Sequence, residues 1–305
     1  MTEEEYNNFK HSVDGITPVV TKEIEHELRN YLDKCGLFYK CFVRIKSGQS
    51  ACEKVHGKIV NQGKNYKMQD LIGIRIVVYF KEDIALCEKI VKQHFDVVNI
   101  SKNPENIENF GAQRINYVCK LPLSTMEQLE SNIWKYPVDH TFEIQMRTIF
   151  SEGWHEIEHD FRYKCKEEWK GNEDLARTLN GIFATLDNCD WAIDSLFTQL
   201  AYRHYKEQEW IPMLKNVFRM RLIDYEKMDE IIKLFNDNHM LAKQFFRLDR
   251  EDFLIRLSDL NINFPLKMNT VVYLVNLLQI HSKEIYEITP DAIKKLVEKE
   301  IRNKN

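Results

Sequence analysis

The spacing of apolar residues along the chain switches between the period of a helix and that of a strand, and then settles on helix. Val19, Val20, Ile24, Leu28 and Leu32 fall at helical spacing before Cys35-Gly36, predicting an entry helix. Phe38 to Ile45 is rich in aromatic and β-branched residues and ends in Lys46-Ser47-Gly48, which predicts a strand, and Ser50 to Val60 predicts a helix. The run Leu71 to Phe80 is apolar apart from Gly73 and Arg75, and its length and β-branching suit a central strand. A helix from Lys81 to His94, a short strand from Val97 to Ile100 and a polar loop from Ser101 to Gln113 follow. Strands are then predicted at Ile115 to Leu121 and Thr141 to Met146.

From Ile149 onward the pattern is helical. One helix is expected from Ile149 to Tyr163, a long one from Leu175 to Leu200, and shorter ones around Tyr225–Phe235, Met240–Phe246, Asp252–Leu260, Val271–Ile280 and Pro290–Ile301. The expected fold is therefore α+β: a mixed β-sheet flanked by helices, carrying an all-α C-terminal extension. Two domains are expected, at 1–204 and 205–305.

Composition narrows the function classes. Hydrophobic residues make up 44% and charged residues 30% of the 305 positions, as in globular proteins. A net charge of -4 supplies no global field for nucleic-acid backbone, so any phosphate binding must come from local clusters. No apolar run reaches the roughly 18 residues of a membrane span, and the acidic segment Met1 to Tyr6 does not resemble a secretion signal. A cytoplasmic protein with no membrane partner is expected. The seven cysteines form no C-x-x-C pair and are expected to be reduced, mostly buried thiols.

Four clusters carry candidate chemistry. Arg44, Lys46, Ser47, Ser50 and Lys54 put cations at a strand end and on the first turns of the next helix, where backbone N–H groups also point at an anion; a solvated basic face is the competing reading. Asp70 before the central strand suits Mg²⁺, and Arg75 inside it needs an anionic partner if buried; an Asp70–Arg75 ion pair is the simpler alternative. In Thr141–Thr148, period two puts Glu143, Gln145 and Arg147 on one face and Phe142, Ile144 and Met146 on the other. Finally, His155, Glu156 and His159 match the H-E-x-x-H spacing without a third zinc ligand. Packing of Trp154 and Ile157 beneath an exposed acidic face is the expectation there.

In this order the clusters resemble the synthetase domain of the RelA/SpoT family, over about Phe42 to Lys164. The resemblance rests on an R-x-K-S segment with a later Ser and Lys (Arg44, Lys46, Ser47, Ser50, Lys54) and a D-x-x-G-x-R-I strand (Asp70, Gly73, Arg75, Ile76). It rests further on the E-I-Q-x-R-T strand from Glu143 to Thr148 and on Trp154, Glu156, Glu158, His159, Tyr163 and Lys164 in the following helix. It implies a nucleotidyltransferase-like fold and a pyrophosphokinase that moves the β,γ-pyrophosphate of ATP to the 3′-hydroxyl of a guanine nucleotide. It further implies that Arg44, Lys46, Ser47, Lys54 and Arg75 hold ATP, that Asp70 and Glu143 share Mg²⁺, and that Glu143 takes the hydroxyl's proton. Gln113, Arg114, Asn116, Gln145 and Arg147 are then the expected acceptor-binding residues. No room precedes Phe38 for the family's hydrolase domain, so a synthetase without its own hydrolase is expected.

One segment departs from the family pattern. Where relatives carry G-Y-[RK]-S-x-H, this chain reads Gly111-Ala112-Gln113-Arg114-Ile115-Asn116, with Ala112 in place of the stacking Tyr and Asn116 in place of the His. Loss of a stacking platform costs roughly 1 to 3 kcal/mol. Tyr117 or Phe110 in a shifted register is one substitute. The acceptor therefore stays open between GDP or GTP, an adenine nucleotide and the 3′ end of tRNA, for which Arg162, Lys164, Lys166 and Lys170 would form a basic surface. A nucleotide-binding regulatory module without turnover is the alternative class. The region 205–305 is expected to serve as a partner or homo-oligomer surface.

Overall fold

A computed structural model describes residues 2–62, 66–102, 115–129, 132–223, 227–260, 262, 264 and 266–304. Its elements are α1 (Glu3–Asp14), α2 (Lys22–Lys34), β1 (Tyr39–Ile45), α3 (Gly48–Gln62), β2 (Ile72–Val78), α4 (Asp83–His94), β3 (Val97–Lys102), β4 (Ile115–Lys120), α5 (Leu123–Gln128), β5 (Thr141–Thr148) and α6 (Ile149–Glu158). After a π-turn at His159–Tyr163 come α7 (Glu173–Glu207), α8 (Trp210–Phe218), α9 (Asp229–Asp237), α10 (His239–Phe246), α11 (Arg250–Ser258), α12 (Met268–Val275), α13 (Lys283–Ile288) and α14 (Asp291–Lys304). The expected strands and the mixed sheet with a helical C-terminal region are present.

Helices α1, α5, α8 and α13 had no counterpart in the sequence pattern. The first is mostly polar: it buries only Phe9 and Val13 and is started by a capping box in which the Thr2 and Glu5 side chains exchange bonds with each other's backbone N–H. In α1 that leaves too few apolar residues for a periodicity to register, whereas α8 buries Trp210, Met213, Leu214, Val217 and Phe218 at helical spacing, a signal that could have found it. The predicted helix from Ile149 to Tyr163 stops as an α-helix at Glu158 and continues as the π-turn.

The chain divides into two compact units. One holds 1–30, 39–78 and 91–185, and the other 31–38, 79–90 and 186–305. The first contains the sheet. Its order is β1-β2-β5-β4-β3, with β2 and β5 parallel and the other neighbours antiparallel. Ile74, Ile76, Phe142, Ile144 and Tyr117 point to one face and are at most 1% exposed, so this face is core. Burial of a ring such as Phe142 stabilises by roughly 1.5 to 3 kcal/mol.

The alternate residues form the other face, and the register lines them up in rows. Arg44, Gly73, Glu143 and Val118 lie in one row; Phe42, Arg75, Gln145, Asn116 and Ser101 lie in the next. The second unit is helical. Its core includes Leu86, Phe218, Phe235, Phe245, Phe253 and Val272. Among the described residues, no helix is long and apolar enough to cross a membrane. Cys35, Cys52, Cys87 and Cys119 are buried, and all seven cysteines are free thiols.

Candidate active site

The polar face of the sheet unit gathers two charged groups. In the first, Lys46 leaves β1 with its N–H bonded to the Leu71 carbonyl at 2.9 Å, which brings the end of β1 against the entry to β2. Lys46 Nζ at 3.3 Å and Lys54 Nζ at 2.5 Å both reach Asp70 Oδ2. Burial pushes the Asp70 carboxyl up, but Lys46 and Lys54 outweigh it and hold it below the usual carboxylate range. Lys46 is itself depressed by burial, with Asp70 offsetting part of the effect. Tyr66, half-buried nearby, is pushed up to about 12 by burial and by the Asp70 charge.

Helix α3, which carries Lys54, starts two residues earlier than its apolar pattern predicts. Ser47 Oγ accepts from the Ser50 N–H at 3.3 Å, and the Gly48 N–H donates to Asp14 Oδ1 at 2.7 Å. A β-carbon at Gly48 would lie 2.4 Å from the Lys10 carbonyl oxygen, so only glycine lets α3 begin against α1. Ser47 thus serves α3 as a cap, beside the phosphate-binding role expected for it.

The second group is a continuous chain of polar side chains. Gln145 Nε2 donates to Glu143 Oε2 at 3.0 Å, Arg147 donates to Gln145 Oε1 at 3.2 Å, and a second Arg147 nitrogen donates to Glu152 Oε2 at 2.9 Å. The other Glu152 oxygen accepts from Arg75 at 2.5 Å, and Arg75 also donates to Glu156. Burial lowers the Arg75 pKa, but these two carboxylates outweigh it and raise it. The chain is positioned by a strand-to-helix junction. Thr148 caps α6 by accepting from the Ser151 N–H at 3.1 Å, and Ser151 Oγ accepts from the Thr148 N–H at 2.9 Å, which turns Glu152 back over the sheet.

Several expectations are corrected here. Arg75 is paired with Glu152 and Glu156 and Asp70 with lysines, so the Asp70–Arg75 ion pair does not form. Period two places Glu143 and Gln145 together on the strand face and cannot show a helical partner, which is why Glu152 was missed; an acid in the first turn after the Thr148 cap is the signal that could have found it. The acidic face of α6 is not a free surface: Glu156 holds Arg75, and Glu158 is buried and 3.3 Å from Arg162. Ile157 is 53% exposed rather than packed. His155 is buried against Trp154 and Phe183, whereas His159 pairs with Asp160 at 2.9 Å, so the H-E-x-x-H spacing does not converge on a metal.

On the acceptor side, Asn116 pairs in register with Gln145, which brings two expected residues together. Gln113, Arg114, Ala112 and Phe110 lie outside the described residues. Tyr117 belongs to the core face at 1% exposure, so it supplies no aromatic to the site. In the basic run, Arg162 binds Asn180 at 2.7 Å, Lys164 binds Asp160 at 2.7 Å, Lys170 binds Glu167, and Lys166 lies 4.4 Å from the Tyr163 ring centre. Arg44 has no ion-pair partner among the described residues. It lies over Gly73, where a β-carbon would be 3.9 Å from its Cγ.

Residues 43–168 match the family model described as the region found in RelA/SpoT proteins, and this span holds both groups. The chain carries a RelA/SpoT-family domain. Among curated relatives, GTP pyrophosphokinase YwaC of Bacillus subtilis (strain 168) is 25% identical over 179 residues, covering 57% of this chain and 72% of the relative. GTP pyrophosphokinase YjbM of the same organism is 28% identical over 123 residues, covering 40% of this chain and about half of the relative, 54%. Among solved structures, small alarmone synthetase 1 from Bacillus subtilis bound to its product pppGpp aligns at 21% identity with a TM-score of 0.49, covering 65% of this chain and 100% of that chain. The RelA/SpoT domain so delimited contains every expected site residue.

Proposed function

We propose that the RelA/SpoT domain is an ATP-dependent pyrophosphokinase that uses a guanine nucleotide as acceptor. The observation that carries the reading is the pairing of two groups on one face: the Lys46–Asp70–Lys54 cluster, and the Glu143–Gln145–Arg147–Glu152–Arg75 chain. A polyphosphate needs converging cations, and Arg44, Lys46, Lys54 and Arg75 supply them. A ribose hydroxyl needs a base, and Glu143 supplies one on the strand in register with Gly73, beneath Arg44. The names of both curated relatives, each a GTP pyrophosphokinase, support GTP as acceptor.

In this reading the acceptor's 3′-hydroxyl oxygen bonds to the β-phosphorus of ATP, the bond from that phosphorus to the bridging α-phosphate oxygen breaks, and AMP departs. Glu143 takes the hydroxyl proton, and its other oxygen is held by Gln145 so that the carboxylate stays oriented. Arg44, Lys46 and Arg75 carry the charge that develops on the transferred group. Asn116 and Gln145, adjacent in register, orient the acceptor.

The residues fit a Mg²⁺ ion. Asp70 Oδ1 is buried with no hydrogen-bond partner, and its carboxylate and that of Glu143 are the hard oxygen donors such an ion takes. When bound, Mg²⁺ would neutralise phosphate charge and acidify the attacking hydroxyl. To test the reading, the protein is incubated with γ-labelled ATP, Mg²⁺ and each of GDP, GTP, an adenine nucleotide and deacylated tRNA. Label in a guanine nucleotide with stoichiometric AMP is expected. Label in tRNA would replace the acceptor, and no AMP with any acceptor would refute the activity.

A further inference from the structure

Helix α10 has an apolar face and a basic one. Leu241, Ala242 and Phe245 are buried in the helical unit, while Met240, Lys243, Gln244 and Arg247 follow the helical repeat along the other side. That second face lines a cavity of about 380 Å³, a volume in the range of small-molecule sites. Leu248 and Asp249 after α10, with Gln279 and Ile280 from the π-turn at Asn276–Ile280, complete the lining. Gln279 Nε2 donates to the Asp249 carbonyl at 3.1 Å and to Asp252 Oδ2 at 2.7 Å, which ties these segments together before any ligand arrives.

The charges of this cavity are unbalanced. Lys243 and Arg247 stand one helical turn apart, where like charges repel. Among the described residues neither has an ion-pair partner, whereas Arg219, Arg250 and Arg256 of the same unit are paired with Glu82, Asp83 and Asp252. The one carboxylate lining the cavity, Asp249, is engaged elsewhere: its Oδ1 caps α11 by accepting from the Asp252 N–H at 3.0 Å. We propose that this cavity binds a small phosphomonoester with a largely apolar body. Such a group carries close to two negative charges at neutral pH, and a guanidinium meets two of its oxygens at once beside a lysine. A carboxylate would answer only one of the two cations. Met240, Leu248 and Ile280 offer the body an apolar bed, and a methionine thioether adapts well to an aromatic ring. The cavity holds no residue of the 43–168 match, so the proposal stands apart from the pyrophosphokinase reading.

The test is calorimetric binding of phenyl phosphate to the full chain, with inorganic phosphate as the probe without a body and phenol as the probe without a charge. Phenyl phosphate is expected to bind about tenfold more tightly than inorganic phosphate, and phenol not measurably. The double variant Lys243→Met, Arg247→Met should weaken phenyl phosphate at least tenfold. Gln244→Glu, which sets a carboxylate between the two cations on an exposed face, should weaken it as well and guards against a fold lost in the double variant. Lys54→Met removes a cation of the sheet unit and should leave this binding unchanged, which separates the cavity from the phosphate-binding cluster there. No binding of phenyl phosphate, equal affinity for inorganic phosphate, or full affinity in a folded double variant would each overturn the proposal. So would a loss confined to Lys54→Met.

Discussion

Arg75 in the sheet unit and Arg250 in the helical unit each hold two carboxylates, yet their surroundings give those pairs different work. Arg250 is 7% exposed and donates to Glu82 at 2.7 Å, to Asp83 at 2.6 Å, and to the Phe218 and Arg219 carbonyls. Arg219 adds its own bonds to Glu82 and to the Asn216 carbonyl. Asp83 is fully buried, and burial pushes its carboxyl up while Arg250 pulls it back. Every donor there answers to the protein itself. Arg75 is 19% exposed and its partner Glu156 is 53% exposed, so water or a phosphate can reach the pair and exchange for a carboxylate. A buried pair is held because breaking it strands a charge; an accessible pair can trade partners.

The contrast is widest at the base. Glu143→Gln is expected to lower the rate of AMP formation by about 10² to 10⁴, the range for a general base, with the thermal midpoint unmoved. A small loss of rate would remove Glu143 from the chemistry. Next, Arg250→Met should cost about 3 to 5 kcal/mol of unfolding free energy in denaturant titration, because Asp83 stays buried without its partner. Arg75→Met should change stability by less than about 1 kcal/mol, since Arg147 still holds Glu152, and should weaken ATP binding instead. If the two variants lost equal stability, the contrast between the units would fail.

A smaller effect is expected at the hinge of the polar chain. Glu152→Gln frees Arg75 and Arg147 from their common partner, and about a tenfold loss in kcat is expected from their disorder, read by steady-state kinetics. The smallest effect is a pH dependence in the helical unit. Asp194 has two buried oxygens without hydrogen-bond partners, and burial first, then the charge of Glu82, pushes it up to about 6, with Asp83 adding and Arg219 and Arg250 opposing. A carboxyl raised in the folded state penalises folding when ionised. That penalty is absent below the ordinary carboxylate value, grows as pH rises toward about 6 and is complete above it. Relative to Asp194→Asn, the wild type should gain about 1 kcal/mol between pH 7 and pH 5, after discounting for solvent screening. Asp70 has the opposite sign: its lowered pKa contributes stability above the ordinary carboxylate value and loses it only at more acid pH.

Much of the sheet unit was legible because its signals are local. The near-continuous apolar run of β2 showed a central strand, and alternation in β5 put Glu143, Gln145 and Arg147 on one face, as the register bears out. The demand of Arg75 for an anion was legible too, but its partners lie 77 and 81 residues away on another element, where no periodicity connects them. Helix α1 was missed for the opposite reason, since two apolar anchors and a capping box leave almost no pattern. The start of α3 was displaced because a cap and a close approach to Asp14, rather than apolar spacing, decide where it begins.

By itself the sequence determined which residues line the polar face of β5, that Arg75 requires a counter-charge, and which ordered segments resemble the RelA/SpoT family, because each depends on neighbours a few positions away. Tertiary structure alone decided that Asp70 belongs to Lys46 and Lys54, that Glu152 joins Arg75 to Arg147, and that Phe42 stands exposed in the row of Arg75 and Gln145. It also decided that 31–38 and 79–90 group with the C-terminal helices. Strand register and the packing of a helix on a sheet are set by how distant surfaces fit together, and the spacing of residues along one segment carries no record of that fit.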